Sequence, residues 1–153
     1  MSPRSRTNQL LYQAELLVGL PAGDDEHAPV RQMAIEESAL ALFELALNAM
    51  LREVCEHARL ETHAWQQLLA SDGPAIAELQ RLRDLISQPD SWLCWLTVQL
   101  ERLHSSEGAA KRRVDNPSMI AVASQASFSE QLLTHIAAAK QEIAALRETS
   151  QEW

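Results

Sequence analysis

Residues 29–60 read PVRQMAIEESALALFELALNAMLREVCEHARL, and this stretch decides the fold. It contains no glycine and no proline after Pro29. A proline in the first turn of a helix gives up an N–H that has no intrahelical partner there. Met33, Ile35, Leu40, Leu42, Phe43, Leu47, Met50, Leu51 and Val54 recur at helical spacing. On a wheel turned about 100° per residue, Gln32, Glu37, Glu44, Asn48, Arg52, Glu56 and Arg59 gather on one narrow polar strip, and nearly all the remaining girth is apolar. A helix wetted on so narrow a strip is the central member of a bundle. At about 1.5 Å per residue it runs about 45 Å, enough to span a domain whose radius of gyration is about 15 Å. Three polar residues fall outside the strip: Glu36, Glu53 and His57.

Working outward, the chain of 153 residues is expected to form a single helical domain over 1–153. Glycine is scarce, Ala, Leu, Glu and Gln are abundant, and no alternating β-branched run reads as a strand. The expected fold class is all-α, an antiparallel helical bundle of about four long helical segments plus short helices. A first helix spans about residues 7–18, capped by Thr7 or Asn8 and ended by Gly19, Pro21 and Gly23. The acidic run Asp24-Asp25-Glu26-His27 reads as a solvated turn rather than a metal site. Thr62 caps a short helix carrying Trp65, Leu68 and Leu69, and Ser71-Asp72-Gly73-Pro74 turns the chain into a helix bearing Leu79, Leu82 and Ile86. Another follows with the stripe Trp92, Leu93, Leu96, Leu100 and Leu103. Residues 105–126 are expected to be a mobile loop. The last helix opens on Ser127-Phe128-Ser129-Glu130, a capping box, and carries the stripe Phe128, Leu132, Ile136, Ala139, Ile143 and Leu146.

The formal charge of −8 argues against nucleic acid as a partner, because phosphates are met by clustered Lys and Arg. The short patch Lys111-Arg112-Arg113 reads as part of a solvated loop. Cys55 and Cys94 form no C-x-x-C pair and read as reduced, partly buried thiols. No apolar run approaches the roughly 20 residues that cross a bilayer. No signal-peptide pattern follows Arg4 and Arg6, so the expected location is cytoplasmic.

Three stretches stand together in order and spacing: Arg6-Thr7-Asn8-Gln9-Leu10-Leu11-Tyr12, Pro89-Asp90-Ser91-Trp92-Leu93, and the terminal Glu152-Trp153. In these the chain resembles a family of small uncharacterised bacterial proteins with a domain of unknown function. The resemblance covers most of the chain and implies a helical fold with a variable charged loop before the last helix. It implies no activity and no site residue.

Three chemistries are open to the residues. The stretch Arg52-Glu53-Val54-Cys55-Glu56-His57 has the R-x-x-x-x-H spacing and resembles the motif of HEPN-type bundles, many of which are ribonucleases. That resemblance implies an RNA-cleaving or nucleotide-binding module, with phosphate stabilisation by Arg52 and proton transfer by His57. Glu53 and Glu56 depart from the pattern, since their carboxylates repel a phosphate. Glu53 and His57, four apart, are also within reach of each other. For metal, Glu101 and His104 have the E-x-x-H spacing that di-iron bundles use on two helices. Here it occurs once, on the polar side of its helix, so no cofactor is expected. The third is a contact surface, for which Trp95 and Val98 lie off the stripe of their helix and Trp65 adds to the apolar surplus. The leading expectation is therefore a non-enzymatic interaction or accessory bundle, whose partner is a second copy or another protein, with no membrane contact.

Overall fold

A computed structural model describes residues 1–110 and 126–151. Its described residues form six helices and no strand: α1 (Pro3–Val18), α2 (Ala28–His57), α3 (Trp65–Leu68), α4 (Ala77–Ile86), α5 (Trp92–Leu103) and α6 (Phe128–Gln151). The long central stretch is α2, and it touches α1, α3, α5 and α6. Leu40, Phe43, Leu47, Met50, Leu51 and Cys55 bury its inner face against Leu10, Leu11 and Ala14 of α1, Leu96 and Leu100 of α5, and Leu132, Ile136 and Ala139 of α6. Each such leucine or phenylalanine taken fully from water is worth about 1.5–3 kcal/mol.

Bonds along the seams fix the relative directions of three long helices. Gln32 donates to Ser129 at one end of α2, and Glu53 meets Arg147 near the other, so α2 and α6 run the same way. Asn8 bonds Arg147 and Glu15 pairs with Lys140, so α1 runs against α6. α4 packs on α5 and reaches α6 through the ion pair Arg81–Glu142.

The helix ends show which local signals act. α1 starts earlier than expected, because Pro3 sits in its first turn and Ser2 is the cap, accepting the Ser5 N–H at 3.1 Å. Thr7 is inside the helix, buried, rather than capping it. α2 ends in a Schellman motif, with Leu60 N–H donating to Cys55 O at 2.8 Å and Arg59 N–H to Glu56 O at 3.2 Å. Arg59 takes the left-handed position, at φ 57°, that glycine usually fills. The cap expected from Thr62 comes from another helix, since Asn48 Oδ1 of α2 accepts the Trp65 N–H at 3.0 Å. The capping box at α6 is present in both directions: Glu130 N–H donates to Ser127 Oγ and Ser127 N–H to Glu130 Oε2, each at 3.1 Å.

The loop expected over 105–126 begins differently. Glu37 of α2 accepts the N–H groups of Ala109 at 2.9 Å and Ala110 at 3.3 Å, and both alanines are buried. Residues 111–125, Lys111-Arg112-Arg113 included, lie outside the described residues, as does the Glu152-Trp153 end.

Candidate functional site

Near the C-terminal end of α2, Glu53 points inward from a helix that has little wet surface to offer it. A carboxylate removed from water is costly unless paired and hydrogen-bonded, and Glu53 is both. Arg147 of α6 donates Nε to Glu53 Oε1 at 3.0 Å and Nη2 to Oε2 at 3.2 Å, a two-pronged contact in which both side chains are about four-fifths buried. Thr7 of α1 adds its hydroxyl to Glu53 Oε2 at 2.8 Å. Arg147 also donates Nη1 to Asn8 Oδ1 at 3.0 Å and Nη2 to the Arg4 carbonyl at 3.4 Å. One carboxylate and one guanidinium thus join α1, α2 and α6.

Beside this clasp lies a cavity of about 290 Å3, lined by Met50, Val54, Ile143 and Leu146 and by Arg4, Glu53, His57 and Arg147. His57 is exposed and makes no hydrogen bond with Glu53. Arg52 does not line the cavity; five residues from His57, it is turned about 140° round the helix and stands exposed on the outer face. So the structure gathers Glu53 and His57 at one cavity and leaves Arg52 outside it.

The profile of one family matches residues 1–153. The chain belongs to DUF6586, a family of unknown function. Neither a curated protein nor a solved structure gives a match. Within this DUF6586 chain, the stretch Arg6–Tyr12 supplies Thr7 and Asn8 to the clasp.

The other sequence candidates are dispersed. Glu101 is exposed, and His104 turns away to bond both oxygens of Glu44 through Nε2, each at 2.9 Å. Glu44 also accepts Trp65 Nε1 at 2.8 Å, so this carboxylate ties α3 and the end of α5 to α2. Among the described residues no three His, Cys, Asp or Glu side chains come together as a metal set. Trp65 is buried rather than offered to a partner. Trp95 is half-buried, stacked on His135 with centroids 4.4 Å apart and against Phe128 at 5.7 Å, and its Nε1 donates to Gln131 at 3.1 Å. Both rings serve contacts within the chain, and of the three only Val98 is exposed. The reason is geometric: a tryptophan off one stripe still faces a second neighbour in a bundle. Burial pushes the His135 imidazole below its ordinary pKa and the Cys55 thiol above its own.

A second cavity, about 810 Å3, opens where the N-terminal ends of α2 and α6 meet α5. Met33, Phe128, Gln99, Arg102 and Gln131 line it, and Gln99, 7% exposed, has an Oε1 without a partner among the described residues.

Sequence reasoning missed Arg147, Thr7 and Asn8. A weak signal existed for Arg147: it stands four residues after Ile143 and next to Leu146, on the edge of the apolar stripe of α6.

Proposed function

We propose that this DUF6586 protein is a non-enzymatic interaction module that acts as a homodimer, its long helices alternating in direction and α1 providing the contact face. The observation that carries this reading is the outer side of α1. Tyr12 and Leu16, four apart on α1, and Leu20, just past its Gly19 cap, are 59%, 54% and 52% exposed. Leu133 of the adjacent α6 is exposed as well. A run of large apolar groups along one side of a helix pair is the kind of surface that marks association.

Charge favours a second copy as the occupant. Two α1 helices packed antiparallel about a two-fold axis between Tyr12 and Leu16 bring Arg6 of one protomer toward Asp24 of the other. The same surface then meets itself with opposite charges at both ends. The inward-pointing carboxylates support a structural rather than catalytic use of the acidic residues: Glu37, Glu44 and Glu53 each hold a neighbouring segment in place.

Sedimentation equilibrium tests the reading. The wild-type chain is expected to be a dimer, and Leu16→Glu a monomer with unchanged helical circular dichroism. A wild-type chain that stays monomeric at high micromolar concentration overturns it.

A further inference from the structure

The cavity beside the Glu53–Arg147 clasp holds two kinds of group. Its hydrocarbon walls come from Met50 and Val54 on α2 and from Ile143 and Leu146 on α6. Its polar groups come from all three helices. Glu53 and Arg147 neutralise each other and are further satisfied by Thr7 and Asn8. The side chains of Arg4 and His57 are different: neither has a hydrogen-bonded or ionic partner among the described residues. Both are exposed side chains at the lining of this largely apolar space.

We propose that this cavity binds a small amphipathic carboxylate, with its hydrocarbon chain on Met50, Val54, Ile143 and Leu146 and its carboxylate held by Arg4 and His57. Size sets the class. At about 290 Å3 the space is at the small end of ligand pockets, which run from roughly 300 to 1,000 Å3, so it suits an acyl or aryl chain of about six to ten carbons rather than a nucleotide or a long lipid. Charge sets the head group. The lining carboxylate, Glu53, is already occupied by a guanidinium, so a cationic ligand meets Arg4 and Arg147 without a free anion. A carboxylate meets the unpaired guanidinium of Arg4, with which a two-pronged contact is available. The hydrocarbon supplies affinity, about fourfold for each methylene buried, and the donors supply the preference for an anion.

Isothermal titration of the full chain at neutral pH tests this with octanoate, 1-octanol and octylamine as probes. Octanoate is expected to bind at least tenfold more tightly than either of the others, and hexanoate, two methylenes shorter, about sixteenfold more weakly than octanoate. Val54→Trp, which fills the space, abolishes octanoate binding. Arg4→Gln, a surface change that leaves the core intact, weakens octanoate about tenfold and levels it with octanol, so the test survives a Val54→Trp chain that does not fold. Octanol binding as tightly as octanoate, a preference for octylamine, no binding of octanoate, or octanoate binding unchanged in a folded Val54→Trp chain each overturns the proposal; the last places the ligand elsewhere, the larger cavity included. The Leu16→Glu monomer is expected to bind octanoate like the wild type, which separates this site from the dimer face.

Discussion

His135 shows how one side chain records its surroundings. It lies flat against the Trp95 indole, tilted 18° from parallel, on the flank of the α6 stripe. Burial disfavours its charged form and holds its pKa below the ordinary 6.5. As pH falls below 6.5, the unfolded chain takes up a proton at this imidazole before the folded chain does, so stability drops with pH until the lower folded pKa is passed, and then levels. His135→Phe keeps a flat ring against Trp95 and cannot titrate. The urea midpoint of the wild type is therefore expected to fall between pH 7 and 5 by more than that of His135→Phe; parallel curves refute the assignment. Residues of this kind were partly legible. Glu53 stood out on the wheel as a carboxylate on an apolar face, and Glu36, likewise out of place, is buried. The partner of Glu53 was not legible, because Arg147 is 94 residues away and a contact between distant helices leaves no periodic trace. Arg59 was equally hidden: nothing in an arginine signals the left-handed turn that Leu60 and its N–H bond to Cys55 impose.

At the scale of elements, the polar strip of α2 has another use than solvation. Periodicity reports which side chains differ from their neighbours, and Glu37, Glu44 and Asn48 differ because they hold segments rather than water. Asn48 and Glu44 receive α3 through Trp65, and Glu37 receives the chain after α5 through two backbone amides. The wetter face is displaced toward Ala34, Ser38, Leu45 and Arg52, all exposed. Helix existence was legible because the apolar period is local. The covering of the strip was not, since the residues that cover it carry ordinary turn chemistry. Gly108 tests the docking. It sits at φ 78°, and a Cβ there would lie 2.3 Å from Glu37 Oε1. Gly108→Ala therefore strains the backbone and displaces the carboxylate from the Ala109 and Ala110 amides together. The expected loss is about 2–3 kcal/mol, combining a left-handed residue and a disturbed charged hydrogen bond. Urea denaturation measures it, with Ser106→Ala, exposed and two residues away, expected to stay within about 0.5 kcal/mol of the wild type.

For the whole molecule, the clasp decides whether three helices behave as one. α1 and α6 are far apart in sequence, and besides the Glu15–Lys140 ion pair they meet at the Arg147 guanidinium, set between Glu53, Asn8 and the Arg4 carbonyl. Removing one member of a mostly buried pair leaves the other without compensation, whereas replacing both with apolar groups removes the desolvation cost as well. Arg147→Met alone is expected to cost about 2–3 kcal/mol, below the 3–5 typical of a fully buried pair because about a fifth of each side chain meets water. Glu53→Leu alone leaves the Arg147 charge with only the neutral acceptors of Asn8 and the Arg4 carbonyl and costs a similar amount. The double variant Glu53→Leu/Arg147→Met is expected to recover about half of the summed loss, a coupling of about 2–3 kcal/mol in a double-mutant cycle. Because the clasp joins the ends of the chain, each single variant is expected to lower the urea midpoint with its slope unchanged, one cooperative transition losing stability as a unit. A split transition, or losses that simply add, would mean that α1 and α6 do not depend on this contact and that the apolar seam around Ala14 and Ala139, with the Glu15–Lys140 pair, carries the junction.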